Sequence, residues 1–207
     1  MRLMEELIAI ALYLAIPFSL SSTLRRFFKR HAILAMEIVL SCYGIALSVW
    51  FGLPWFSKKV LADVVVVVVV TLLVLVFLLR KTRQRLPRGY LQIPKLDMFL
   101  ISAIFVGLAE EPVFRGIVQN LLHKYIPWDV VGLHWSTVIT ALIFTFFHAT
   151  NVFTRFESRS EFALAFPTRF LILLLIGYSY QRTGVLITPV IFHNLLDLLI
   201  FLSIRKN

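Results

Sequence analysis

The sequence predicts an all-α polytopic membrane protein, a bundle of about seven transmembrane helices with a kinked-helix core in its carboxyl-terminal half. Three observations carry that expectation. The 207-residue chain is 59% hydrophobic and only 15% charged, with a mean hydropathy of +0.87, whereas a soluble globule is about half apolar and about a quarter charged. Its apolar residues fall into runs of span length. Its 21 Lys and Arg residues gather in the stretches between those runs. So much apolar surface needs lipid as its solvent, which excludes a soluble globule, a disordered chain and a disulfide-built secreted scaffold. The single cysteine, Cys42, has no partner for an internal disulfide or a cysteine-type zinc site and is expected to be a small core residue.

A hydrocarbon layer about 30 Å thick takes roughly 20 helical residues. The candidate spans are 5–23, 33–53, 60–79, 97–122, 132–153, 167–181 and 185–203. The first carries Glu5 and Glu6 where a signal peptide would be basic, so it reads as a retained helix. The third contains unbroken valine from Val64 to Val70; the run would suggest a buried strand in water, but the apolar stretch continues to Leu79 and reaches span length. The fourth holds Glu110, Glu111, Pro112 and Arg115, and Pro112 should kink it by leaving the Leu108 carbonyl without its usual donor. The fifth contains Phe144 and His148. The sixth is the shortest. The seventh contains Pro189, expected to kink it as well, then His193 and Asp197.

The connector from Lys81 to Lys95, with Pro87 and Gly89, divides one integral unit into two parts. Residues 1–96 hold three generic spans and the basic connector; residues 97–207 hold four spans and every polar residue judged unusual. Lys and Arg on alternate sets of loops number fifteen against five, which predicts an amino terminus outside and a cytoplasmic carboxyl terminus. The net charge of +10 is thereby assigned to topology and anionic headgroups, with the lipid bilayer as partner and no nucleic acid.

A charged side chain at bilayer depth costs about 2.5–3.5 kcal/mol, so several together need a reason. Glu111 and Arg115 are four residues apart with the acid first, the favourable order for a helical ion pair. Glu110 projects about 100° away and is free to face a cavity. His193 and Asp197 share one face of a helix at the same spacing. At about 1.5 Å of rise per residue, Glu110 and His193 fall at nearly the same depth, with His148 somewhat nearer the inner face. His31, His123 and His134 sit near span ends and read as interfacial.

These residues resemble the CAAX-protease and bacteriocin-processing family of membrane endopeptidases, which includes the type II CAAX prenyl endopeptidases. The family pattern E-E-x-x-x-R, then F-x-x-x-H, then H-x-x-x-N or H-x-x-x-D is matched in order by Glu110, Glu111 and Arg115, by Phe144 and His148, and by His193 and Asp197. The resemblance covers about residues 97–200. It implies peptide hydrolysis inside the membrane, with Glu110 as general base activating water beside His148, and with His193 and the residue at Asp197 stabilising the oxyanion. Glu111, Arg115 and Phe144 are implied as supports. Asparagine is usual at the last position in the prenyl endopeptidases; an ionised aspartate cannot donate, so Asp197 either holds a proton or orients His193.

The resemblance requires no cofactor. A zinc alternative stays open, with Glu110, His148 and His193 as ligands, since two imidazoles, a carboxylate and a water suit catalytic zinc; against it, the usual H-E-x-x-H helix is absent. The expected partner is a membrane protein or peptide substrate, such as a CAAX terminus, a bacteriocin leader or a carboxyl-terminal sorting tail. The expected location is a bacterial cell membrane. The competing readings are a non-catalytic immunity or scaffold protein and a proton-coupled transporter.

Overall fold

The computed structural model describes residues 2–57, 65, 69, 73, 92–154 and 156–204. Most of the third candidate span and of the basic connector lies outside the described residues. Helix α1 (Arg2–Phe28) and helix α2 (Ala32–Trp50) pack against each other as a hairpin. A 3-10 turn at Lys29–His31 reverses the chain, with Lys29 in the left-handed region at φ 48. The Tyr43 hydroxyl donates to the Ala9 carbonyl at 2.9 Å, and the Tyr13 and Tyr43 rings stack at 6.3 Å, so the phenols knit the hairpin together. His31, expected to be merely interfacial, holds the buried Asp97 carboxyl at 2.8 Å and ties the turn to the start of the next helix.

Helix α3 (residues 95–125) is continuous but not uniform. Ile101–Phe105 and Pro112–Gln119 take the wider π-helical form, separated by the α-helical Val106–Glu111. Pro112, expected to kink this helix, opens the second widened stretch. It lacks an amide to donate backwards, and an i→i+5 register allows the following amide to serve the freed carbonyl.

A two-residue hairpin follows, with strand β1 (Asp129–Val130) antiparallel to strand β2 (Leu133–His134). Val131 and Gly132 between them both have positive φ, the backbone of a type I′ turn. The fifth span thus begins later than expected, with helix α4 (Trp135–Phe147), and a break at His148 leads into the short α5 (Thr150–Phe153). Helix α6 (Arg159–Thr183) starts eight residues before the expected 167. Ser158 and Glu161 form a reciprocal capping box there: the Glu161 amide donates to Ser158 Oγ at 3.2 Å and the Ser158 amide to Glu161 Oε2 at 2.7 Å. Gly184, at φ 68, ends α6, and helix α7 (Ile187–Ile204) follows. Pro189 falls in the first turn of α7, where its missing amide has no intrahelical partner to lose, so no kink arises.

The protein is an all-helical membrane protein. Among the described residues, three stretches are long and apolar enough to cross a bilayer, Leu3–Trp50, Trp135–Phe153 and Arg159–Thr183, and Ile187–Leu202 is a shorter apolar helix. The count of seven is not reached on that criterion. Part of the difference has a plain source: Leu3–Trp50 is the folded α1–α2 hairpin, and α3 carries too many ionisable residues to qualify by composition. One core joins the two parts of the chain, with Tyr13, Leu40 and Leu47 packed among Val113, Phe114, Phe144 and Ile176. Cys42 is exposed on the outward face of α2, contrary to expectation; a thiol is apolar enough to face lipid.

Candidate active site

Helix α3 supplies the first element of the site. Glu111 and Arg115 are wholly buried and paired, with Arg115 Nε donating to Glu111 Oε2 at 3.0 Å. A second guanidinium nitrogen donates to the Leu173 carbonyl of α6 at 2.8 Å. Room for this comes from Gly177, where an added Cβ would lie 2.9 Å from Arg115 Nη1. The other Glu111 oxygen, Oε1, accepts from His193 Nδ1 at 2.6 Å. Glu111 thus joins α3 to α7 and sets the ring orientation of His193. The remaining ring nitrogen, Nε2, points at Glu110 Oε2, 3.6 Å away and beyond direct hydrogen-bond length.

Phe144 braces both imidazoles. Its ring stacks on Phe114 at 3.7 Å, lies edge-on to His193 at 6.0 Å and sits 5.3 Å from His148. The Arg115 guanidinium covers it at 5.4 Å from its centre. His148 closes α4, and its Nδ1 donates to the Phe144 carbonyl at 2.9 Å, which leaves Nε2 free to accept.

The packing of α7 on α3 depends on Asn194, the neighbour of His193. Its side-chain oxygen accepts from the Gly107 amide at 2.7 Å and its amide donates to the Ile104 carbonyl at 3.0 Å. The Ile104 carbonyl lies within the first π-helical stretch and the Gly107 amide just beyond it, where the ladder changes register. A Cβ at Gly107 would meet the Val190 carbonyl at 2.6 Å, so only glycine permits this approach.

These contacts frame a cavity of about 950 Å³ lined by Glu110, His148, His193 and Asp197. All four candidate catalytic residues meet there, and Glu111, Arg115 and Phe144 lie behind its wall. The cavity reaches from the middle of the bundle, at Tyr13, Glu110, Leu173 and His193, to the end where α1 finishes and α2, α3 and α6 begin, and the short α5 lines it there. Asp197 makes no hydrogen bond or ion pair among the described residues. Both ring nitrogens of His193 face the two glutamates, so Glu111 orients that ring and Asp197 does not.

Three features were missed. Glu37 of α2 lines the cavity, and its Oε2 is buried without a hydrogen-bond partner. Tyr13 of α1 is buried in the same wall. At the mouth, Arg169 donates to Glu157 at 3.1 Å. An acid inside the second candidate span was a signal of the same kind as Glu110; the tyrosine gave none.

Among the described residues, no three His, Cys, Asp or Glu side chains converge closely enough to hold a metal ion. The Nδ1 atoms of both imidazoles are engaged, that of His148 with a carbonyl and that of His193 with Glu111, which leaves each Nε2 unengaged, as in a metal-ligating histidine. Glu110, His148 and His193 do not converge into a ligand set in this arrangement.

The comparisons agree with the geometry. No curated protein and no solved structure is matched by the chain. A family model described as type II CAAX prenyl endopeptidase Rce1-like matches residues 92–199, more than half of the 207 residues and the whole run from Glu110 to Asp197. The chain belongs to the type II CAAX prenyl endopeptidase Rce1-like family of membrane proteases.

Proposed function

We propose that the protein is an intramembrane endopeptidase that hydrolyses a peptide bond with water activated by Glu110 and His148. The observation that carries this reading is the single cavity gathering Glu110, His148 and His193 from three helices within a lipid-facing bundle. Glu110 takes a proton from a water that His148 Nε2 helps to position, and the resulting hydroxide attacks the scissile carbonyl. His193, fixed by Glu111 at Nδ1, presents Nε2 to the same space; protonated there, it donates to the developing oxyanion. A dry wall around the cavity strengthens each of these contacts.

The substrate is a membrane-associated peptide or protein: a CAAX-type terminus, a bacteriocin precursor or a carboxyl-terminal sorting tail. The reaction requires no metal. The chain crosses a bacterial cell membrane seven times, with its amino terminus outside and the mouth of the cavity on the cytoplasmic side, where Arg25, Arg26, Lys29 and Arg30 also lie.

The test compares membranes carrying wild-type and Glu110→Gln protein by proteomics of peptide termini. Loss of the base should slow cleavage by about 10²–10⁴-fold and make uncut precursors accumulate. Identical termini in the two membranes, with both proteins correctly inserted, overturn the reading. Cleavage that survives metal chelation supports the metal-free form, and cleavage restored only by added zinc overturns it.

A further inference from the structure

Hydrolysis of an amide requires two proton transfers. One proton leaves water as it attacks, and one reaches the nitrogen that departs. Glu110 accounts for the first. A further carboxyl in the cavity comes from a part of the chain that the family match does not cover.

Glu37 sits on α2 in the wall shared with Glu110, His193 and Asp197. Glu37, Asp197 and Glu111 are the carboxylates whose charge reaches Glu110. Helix α2 is held tightly to α3 at this place. Ser41, one turn beyond Glu37, donates to the Phe105 carbonyl at 3.0 Å, and a Cβ at Gly44 would lie 2.6 Å from the Leu108 carbonyl. The carboxyl is therefore positioned, not incidental.

The charges around it decide its state. Facing this space are the acids Glu37, Glu110 and Asp197, the Tyr13 phenol and His193, a cation when protonated, with the acid Glu111 and the cation Arg115 just behind the wall. Arg115 and His193 are both bound to Glu111. Arg169 lies within electrostatic reach of Asp197 but is already paired with Glu157, and Arg25 lines the cavity as well. Acids outnumber the cations beside them, and in an apolar wall carboxylates that close together do not all ionise. Glu110 has an imidazole 3.6 Å away to favour its anion. Oε2 of Glu37 and Oε2 of Glu110 are both buried without a hydrogen-bond donor among the described residues, and Glu37, which has no imidazole as near as the one beside Glu110, is the one in the environment of a carboxyl that keeps its proton.

We infer that Glu37 is the general acid of the reaction, giving its proton to the departing amine while Glu110 acts as the base. This rests on the peptidase reading above. As the carbon–nitrogen bond breaks, its electron pair takes the Glu37 proton and the amine leaves neutral. The proton taken from water, now on Glu110, then passes across the cavity to Glu37, and both carboxyls return to their starting states. Water and one peptide bond are consumed; an acid and an amine are formed.

The experiment uses the full protein in lipid nanodiscs, with a pool of internally quenched peptides and matched p-nitrophenyl esters, whose leaving group departs without a proton. Glu37→Gln should slow amide cleavage by about 100-fold or more and ester cleavage far less, because only the amide needs the acid. Glu37→Asp should recover part of the amide rate. Equal slowing of amide and ester would reduce Glu37 to a structural residue and overturn the inference. Failure of the peptidase reading looks different, since Glu110→Gln would then leave both reactions at the wild-type rate. A second measurement needs no substrate: at neutral pH the infrared carbonyl band of a protonated carboxyl should be present in the wild type and lost in Glu37→Gln. Persistence of the full band in that variant overturns the inference even if no peptide is cleaved.

Discussion

Arg115 shows how one residue holds the site together. Its guanidinium is fully buried, and it serves Glu111, the Leu173 carbonyl and the Phe144 ring together. Removing one partner of such a pair leaves a charge stranded in a medium that cannot solvate it. Arg115→Ala should cost about 3–5 kcal/mol, seen as a lower unfolding midpoint in detergent. Replacing Glu111 and Arg115 together by leucine should recover most of that stability and still abolish cleavage, because His193 loses the acceptor at 2.6 Å that orients its ring. A double variant that remained active would remove Glu111 from the positioning role. The pair, and the acid that faces the cavity beside it, were legible because ionisable side chains stood inside an apolar run. Glu37 offered the same signal, yet it stood alone with no patterned neighbour to lend it meaning. Asp197 was read as a candidate partner for His193 from i, i+4 spacing. Spacing says that two side chains share a face, not which acceptor on another helix reaches the ring first.

At the scale of elements, what positions the site is the irregular part of α3. The π-helical stretch at Ile101–Phe105 leaves backbone groups that Asn194 satisfies, and this anchors α7 beside α3. Gly107→Ala should force the two helices apart, since the Val190 carbonyl would lie 2.6 Å from the new methyl. The expected result is a loss of about 1–3 kcal/mol and a steep fall in cleavage, with Asn194→Leu behaving alike through its unsatisfied amide and carbonyl. Unchanged unfolding midpoints in both variants would contradict the clamp. None of this irregularity was readable, because apolar periodicity reports a face and not a switch from i→i+4 to i→i+5 pairing. The early start of α6 was readable, as Ser158-x-x-Glu161 ahead of an apolar run, but a hydropathy count begins only after the polar residues that make the cap. The outer hairpin carries its own test. The His134 ring stacks on His123 at 4.4 Å, and burial first, then the neighbouring imidazole, lower its pKa below the ordinary histidine value. A histidine lowered in this way favours the folded state while neutral, so its contribution is present above the unfolded value of about 6.5 and is lost as the pH falls below it. Amide exchange at residues 129–134 should therefore quicken on acidification, and His134→Phe should remove the dependence.

For the whole molecule, charge and cavity point the same way. The chain carries +10 overall, and the basic residues at the end of α1, with Arg25 in the cavity lining, and at the start of α6 lie at the end of the bundle that the cavity reaches. The opposite end, with the Asp129–His134 hairpin, has no comparable opening to the catalytic groups among the described residues. If positive charge sets orientation, the active site opens toward the cytoplasm, and a substrate enters with its polar end from that side while its apolar part stays in lipid. Single cysteines decide this once Cys42 is replaced by serine. Val131 at the hairpin tip is fully exposed, and Ser158 is exposed at the end beside the cavity mouth. An impermeant maleimide should label Val131→Cys in intact cells and Ser158→Cys only after the membrane is opened. The reverse pattern would turn the molecule over, place the mouth outside, and require a secreted or surface-displayed peptide as the substrate; the geometry of Glu110, His148 and His193 would be untouched, because it depends on helix packing and not on which leaflet the cavity faces.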